Sequence, residues 1–230
     1  MFERFAKRSY ELERLDTGDY TPQEYARWER EMPWIHGLWG ERRALESSLL
    51  RDARSRDIQH LSVLDVGAGS GGILKITAKM LDGLSILPVA LELNDKALAT
   101  LENESAATGI KPVKGDATNL PFADATFDYV ICTLLMHHLS DTDAFLLISE
   151  MNRVAKYNFY VVDLHRHPVG YYLYRLFSRL FLQKFTQEDG ALSILRSFTP
   201  PELLEFAKNA GVQNARVRQS RANRLILSRG

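Results

Sequence analysis

Apolar positions change their spacing several times along the chain, and each change marks an element. Near the amino terminus Phe2, Phe5, Leu12 and Leu15 fall near one face of a predicted helix that Gly18 can end. Thr21-Pro22-Gln23-Glu24 then carries both capping-box residues with proline at the first helical position, so a second helix starts there. Pro33 interrupts it, and 35–56 reads as a third. From Leu61 onward short apolar runs alternate with helical spacing. Strands are predicted at 61–65, 85–92, 112–115, 127–133 and 157–163, with helices over 71–82, 95–108 and 141–155 between them. Such alternation implies right-handed crossovers and a parallel sheet, whose ligands lie beyond the carboxyl ends of the strands. Thr199-Pro200-Pro201-Glu202 starts one more capped helix, Gly211 follows it, and 212–219 with 223–228 read as two strands joined by a tight turn.

The stretch Val63-Leu64-Asp65-Val66-Gly67-Ala68-Gly69-Ser70-Gly71-Gly72 joins the first of these strands to a helix. Its glycines allow a sharp turn and close approach of a ligand to the backbone. Gly67, Gly69 and Gly72 satisfy the dinucleotide fingerprint, and Glu92 stands about 20 residues on, where a ribose-binding acid belongs. Asp65 decides between ligands. A carboxylate at the strand tip repels a pyrophosphate and suits a ligand bearing an ammonium and a sulfonium, as S-adenosylmethionine does.

Four segments in order resemble the class I S-adenosylmethionine-dependent methyltransferases, small-molecule branch: Asp65 to Gly71, Leu91-Glu92-Leu93, Gly115-Asp116-Ala117, and Leu120-Pro121-Phe122 through Phe127-Asp128-Tyr129-Val130 to His137-His138-Leu139. The resemblance covers roughly 60–165 and more loosely the tail after 199. It implies an α/β fold: a Rossmann-like doubly wound seven-stranded sheet with a C-terminal antiparallel hairpin and an N-terminal helical cap. The cap is placed at 1–56 and the methyltransferase domain at 57–230, with a lid-like insertion at 166–198. The cofactor implied is S-adenosyl-L-methionine, held by Asp65, Gly67, Ala68, Gly69, Ser70, Gly71, Glu92, Leu93, Asp116, Ala117, Thr133 and His138, with Arg42 a candidate for its carboxylate. A solvated helix face explains Arg42 equally simply.

Composition narrows the acceptor. The 29 basic and 29 acidic residues cancel, which removes the attraction that binding to a nucleic-acid backbone relies on. The start has no apolar signal core, and no run approaches the roughly 18 apolar residues needed to span a bilayer, so a cytoplasmic location is expected. Cys132 is the single cysteine and reads as a buried small hydrophobe.

After the fourth strand stands Thr133-Leu134-Leu135-Met136 rather than the acid-or-Asn-Pro-Pro-aromatic signature of enzymes that methylate amino groups. The expected acceptor is a small aromatic or polyketide/quinone-like molecule, methylated at oxygen. Asp163-Leu164-His165-Arg166-His167-Pro168 ends the fifth strand, and His165 or His167 is the candidate base, since histidine titrates in the useful range. His137 and His138 read first as packing or cofactor-positioning residues, and no ligand spacing supports a metal. Most relatives have a glycine-rich turn before the fifth strand, where Val154-Ala155-Lys156-Tyr157-Asn158 stands here. Trp28, Trp34 and Trp39, with Tyr171, Tyr172, Tyr174, Phe177, Phe181 and Phe185, are candidates for the acceptor pocket, or for plain core between cap and sheet. Over 171–185, Leu173, Leu176, Phe177 and Leu180 on one side with Arg175 and Arg179 on another also fit a helix resting on a membrane surface, although an internal lid accounts for the same stripe. Two rival functions stay open: a non-catalytic S-adenosylmethionine-binding regulator or assembly protein, and a nicotinamide-dependent oxidoreductase.

Overall fold

A computed structural model describes residues 3–56, 58–81, 84–220 and 223–230, with Pro33, Trp34 and 36–39 described by backbone alone. The sheet strands are β1 (His60–Val66), β2 (Ser85–Glu92), β3 (Lys111–Lys114), β4 (Phe127–Thr133), β5 (Ala155–Leu164), β6 (Arg216–Ser220) and β7 (Arg224–Ser228). The helices are α1 (Arg14–Thr17), α2 (Pro22–Trp39), α3 (Glu41–Leu45), α4 (Arg51–Arg54), α5 (Gly72–Met80), α6 (Asp95–Thr108), α7 (Asp141–Val154), α8 (Pro168–Phe181), α9 (Lys184–Arg196) and α10 (Pro200–Asn209). Strand order is β3-β2-β1-β4-β5-β7-β6, parallel from β3 to β5, with β7 antiparallel to both neighbours. This is the doubly wound seven-stranded sheet with its closing hairpin. The order reverses at β1 and β4, so their carboxyl ends open the crevice in which such sheets bind ligands.

Both sheet faces are buried. Leu64, Val66, Val130, Cys132 and Val161 pack against Leu147, Ile148 and Met151 of α7 and Leu203 and Ala207 of α10. Val63, Ala90, Ile131 and Val162 pack on the other face against Ala44 and Leu45 of α3, Leu74 of α5 and Leu101 of α6. A smaller cluster of Phe5, Tyr171, Tyr174, Leu182, Ala191 and Ile194 holds α8 and α9 beside the carboxyl edge of the sheet.

The amino-terminal third departs from the pattern-based expectation. No single helix spans 3–17: a 3₁₀ turn at Glu3–Phe5 is followed by chain without regular secondary structure, and only Arg14–Thr17 is α-helical before Gly18 stops it in the left-handed region. Long-range partners outweigh helical spacing, because Ser9 N–H donates to the Leu195 carbonyl and the Arg8 guanidinium to the Arg196, His137 and Leu139 carbonyls. Phe2 lies outside the described residues. Pro33 does not end α2, which starts on its Thr21 capping box and runs to Gly40, at φ +92°. A proline removes one N–H from the helical ladder, whereas a left-handed glycine turns the chain away. The predicted 35–56 helix is accordingly a separate run that begins at Glu41 and includes a π turn at Glu46–Leu50. The missing glycine turn before β5 has a direct counterpart: α7 passes into β5 without a loop, and the β4–β5 register shifts between Phe127 and Tyr129.

Candidate active site

The loop after β1 is built from three left-handed glycines, Gly67, Gly69 and Gly71, at φ +70°, +54° and +75°. At Gly67 the need is double, since a Cβ there would stand 2.6 Å from the Leu135 side chain in the turn after β4. Gly67 and Ala68 N–H groups donate to the Leu91 carbonyl, tying the loop to the end of β2. Glu92 ties it again: one carboxylate oxygen accepts from Gly69 N–H at 2.8 Å, and the other from Leu93 and Asn94 N–H at 2.9 and 2.8 Å. A carboxylate offers about four lone-pair sites, so one is left for a ribose hydroxyl. Ser70 and Leu93 are exposed beside this loop, and Ala117 is half-buried. Asp116, also exposed, caps its own turn by accepting from Thr118 N–H and Oγ1, both at 2.8 Å. Arg42 is on an exposed helix face, paired with Glu46 one turn on.

Asp65 is fully buried, and neither carboxylate oxygen has a hydrogen-bond partner. Burial, aided by the charge of Glu92, pushes its carboxyl up to about 8. An orphaned buried carboxylate is costly and calls for a cation.

At the end of β4, half-buried Thr133 leads into Leu134, a bulky residue held at φ +54°, where strain of about 1–3 kcal/mol is stored. The short 3₁₀ turn Met136–His138 follows. His137 is buried, its Nδ1 lies 2.6 Å from Asp163 Oδ1, and its N–H donates to Asp163 Oδ2. Burial alone would raise the Asp163 carboxyl, but the His137 ring and the Leu164 and His137 N–H groups outweigh it and hold the group below its ordinary value. The His138 ring lies 4.2 Å from that of His137, centroid to centroid, and its Nδ1 is 3.0 Å from Asp16.

Residues that sequence reasoning passed over complete this corner. Arg196 is buried, bonds Asp16, donates to the His138 carbonyl at 3.0 Å, and lies 3.5 Å from Glu13. Glu13 is buried too and accepts from Ser193 Oγ. Burial outweighs the pull of His138, Ser193 and Arg196 and pushes its carboxyl up to about 7. Glu13, His137 and His138 each place a ligand-type atom within 4.8 Å of the others, but Arg196 already supplies positive charge at Glu13.

His165 and His167 sit across the end of β5, ring centroids 5.1 Å apart. Half-buried His165 is pushed down to about 4 by burial and then by His167 and Arg166, while His167 is exposed at the start of α8. Arg166 between them is a buried tie to the Phe5 and Ser197 carbonyls and Glu202. Of the aromatics, Tyr20 stacks with Tyr25 and Phe185, and Tyr25 with Trp28; Tyr171 and Tyr174 are buried, and Tyr172 and Phe181 face solvent. Side chains of Trp34 and Trp39 lie outside the described residues.

Comparison with known proteins matches residues 63–158 to a methyltransferase domain family. The chain is 32% identical over 165 residues to a demethylmenaquinone methyltransferase of Roseiflexus sp. (strain RS-1), covering 64% of this chain and 66% of that protein. It is 30% identical over 122 residues to a fatty-acid O-methyltransferase of Mycolicibacterium smegmatis, covering 53% and 39%. It therefore spans just under two thirds of the first relative and well under half of the second. Residues 63–158 thus carry a methyltransferase domain, of a kind that uses S-adenosylmethionine. Among solved structures, the chain shares its fold with magnesium protoporphyrin IX methyltransferase from Synechocystis PCC 6803 with bound SAH, at TM-score 0.60, 14% identity and 90% and 94% coverage. The same holds for a SAM dependent methyltransferase from Aquifex aeolicus, at TM-score 0.55, 16% identity and 85% and 96% coverage. The family's cofactor suits the residues present: unpartnered Asp65 can meet its cationic amino-acid part, the glycine loop its close approach, and the open site on Glu92 its ribose. A diphosphate would bring like charge against Glu92 and offer no cation to Asp65.

Proposed function

We propose that the protein moves a methyl group to a hydroxyl oxygen of a small aromatic, polyketide- or quinone-like acceptor. S-adenosylmethionine, when bound, supplies a methyl already activated on a sulfonium. The chain holds the two reactants in line and takes the hydroxyl proton. Orientation is worth up to about 7–11 kcal/mol of barrier, and a positioned base adds roughly a hundred- to ten-thousand-fold.

The buried His137–Asp163 pair carries the reading. A carboxylate 2.6 Å from Nδ1 selects the tautomer with the proton on Nδ1, which leaves Nε2 bare to accept one. Asp163 then stabilises the imidazolium. The pair sits where β4 and β5 end, beside Leu135, which touches Gly67 of the cofactor loop. His165 and His167, put forward by the strand-end sequence, are the alternative bases; a histidine pushed down to about 4 is the weaker proton acceptor at neutral pH. The relatives named for demethylmenaquinone and fatty-acid methylation support an acceptor with a lipid-soluble part.

The test is methyl transfer from labelled cofactor to a panel holding a long-chain phenol, a hydroquinone and a fatty acid, with His137→Ala, Asp163→Asn, His165→Ala and His167→Ala in parallel. We expect phenol or hydroquinone turnover, a loss of at least about a hundredfold in kcat for the His137 variant, and unchanged S-adenosylhomocysteine affinity. Near-normal turnover by His137→Ala moves the base to whichever of His165 and His167 proves sensitive. Cofactor binding with no transfer to any acceptor favours the non-catalytic reading.

A further inference from the structure

The outer side of α8 breaks the usual rule for a surface helix. Tyr171, Tyr174 and Ser178 face inward and are buried, as expected. The opposite side is apolar as well: Val169, Tyr172, Leu173, Leu176 and Leu180 are all exposed, Leu176 at 66% and Leu180 at 72%. At 3.6 residues per turn these five fall within an arc of about 100°, centred opposite the buried face. Arg175 and Arg179, both exposed, lie along one flank of that arc. No acidic residue occurs between Asp163 and Glu188, whereas Arg166, Arg175, Arg179 and Lys184 do. Arg4 adds another cation, since it and Arg175 both donate to the Tyr171 hydroxyl.

We propose that this outer face of α8 docks the protein on an anionic lipid bilayer, the five apolar side chains entering the headgroup boundary and Arg175 and Arg179 meeting lipid phosphates. Charge separates this occupant from a second copy of the chain. A two-fold contact through α8 would bring the arginines of both copies onto a face without a carboxylate. Size argues the same way, because a 14-residue helix offers a strip of roughly 21 by 10 Å, on the order of 200 Å², against about 800 Å² per partner for a stable dimer. A bilayer needs no such area, as apolar insertion and charge act together on a short amphipathic helix. No helix among the described residues is long and apolar enough to cross a membrane, so contact would be from one side. The helix leaves the sheet three residues after β5 ends, which puts the lipid surface beside the carboxyl edge where the acceptor is expected. The inference adds to the acceptor reading without resting on it.

Flotation of the full chain with vesicles tests it, comparing phosphatidylcholine alone with vesicles holding about 30% phosphatidylglycerol. We expect co-flotation with the anionic vesicles, a fall of about fivefold in partitioning for each of Arg175→Gln and Arg179→Gln, and weakening by salt. Leu173→Gln/Leu176→Gln/Leu180→Gln should lose at least about tenfold while keeping wild-type S-adenosylhomocysteine affinity by calorimetry, which shows that the fold is intact. Wild-type protein that stays in the dense fraction with both vesicles overturns the proposal. So does a wild-type dimer in light scattering that the triple variant abolishes. Either result leaves methyl transfer to a detergent-dispersed acceptor untouched, so the two readings fail separately.

Discussion

Asp65 shows how one side chain sets a ligand preference. The fold keeps its proton up to about pH 8, whereas the unfolded chain releases it near 4, so the free protein loses stability as pH rises through that window, by up to about 1.4 kcal/mol per unit. A bound ammonium reverses the balance by favouring the carboxylate. Cofactor binding then expels a proton, and affinity should climb by up to about tenfold per unit between about pH 5.5 and about pH 7. Calorimetry in two buffers of different ionisation enthalpy reads the proton directly. Asp65→Asn should bind more weakly and show no slope; a wild-type affinity flat across this range would remove Asp65 from the cofactor site. The motif residues were legible in the sequence because a turn of left-handed glycines needs its residue types at fixed local spacing. The His137–Asp163 pair was not, since its members lie 26 residues apart and meet only through the neighbouring ends of β4 and β5.

At the scale of elements, the core strands declared themselves because a parallel strand is buried on both faces and reads as an apolar run. The amino-terminal segment did not, because four apolar residues at roughly helical spacing say nothing about an arginine such as Arg8 that finds three carbonyls elsewhere in the fold. Contact between elements also explains why Gly67 tolerates no side chain. Gly67→Ala meets both a left-handed φ and the Leu135 side chain, and should lower S-adenosylhomocysteine affinity at least about tenfold while the melting temperature in the absence of cofactor falls only a few degrees. Adding Leu135→Ala removes the clash but not the φ penalty, so recovery of affinity in the double variant should be partial. Full recovery would mean that close approach alone selects glycine here.

Across the whole molecule, the amino-terminal segment, α9 and the turn after β4 are joined by charges that the sequence separates by up to 180 residues. Arg196 is the hub, since it bonds Asp16 and the His138 carbonyl and neutralises Glu13. Removing one partner of a buried ionic cluster leaves the others uncompensated, which costs about 3–5 kcal/mol. Arg196→Met keeps the apolar stem and should therefore lower the melting temperature at pH 8 by roughly 6–20 °C. The loss should shrink in acid, and the sign follows from Glu13. Its folded value, already about 7, rises further once the guanidinium is gone, so below that pH it takes up a proton and the unpaired charge disappears. Comparing melting temperatures of wild type and variant at about pH 6 and about pH 8 tests this, with Glu13→Gln/Arg196→Met as the control in which the difference between the two pH values is reduced. An equal deficit at both would show that Arg196 acts through its hydrogen bonds to backbone rather than through charge. The same cluster orients His138 and carries the carbonyl of the turn that presents His137, so kcat in Arg196→Met should fall more than cofactor affinity does.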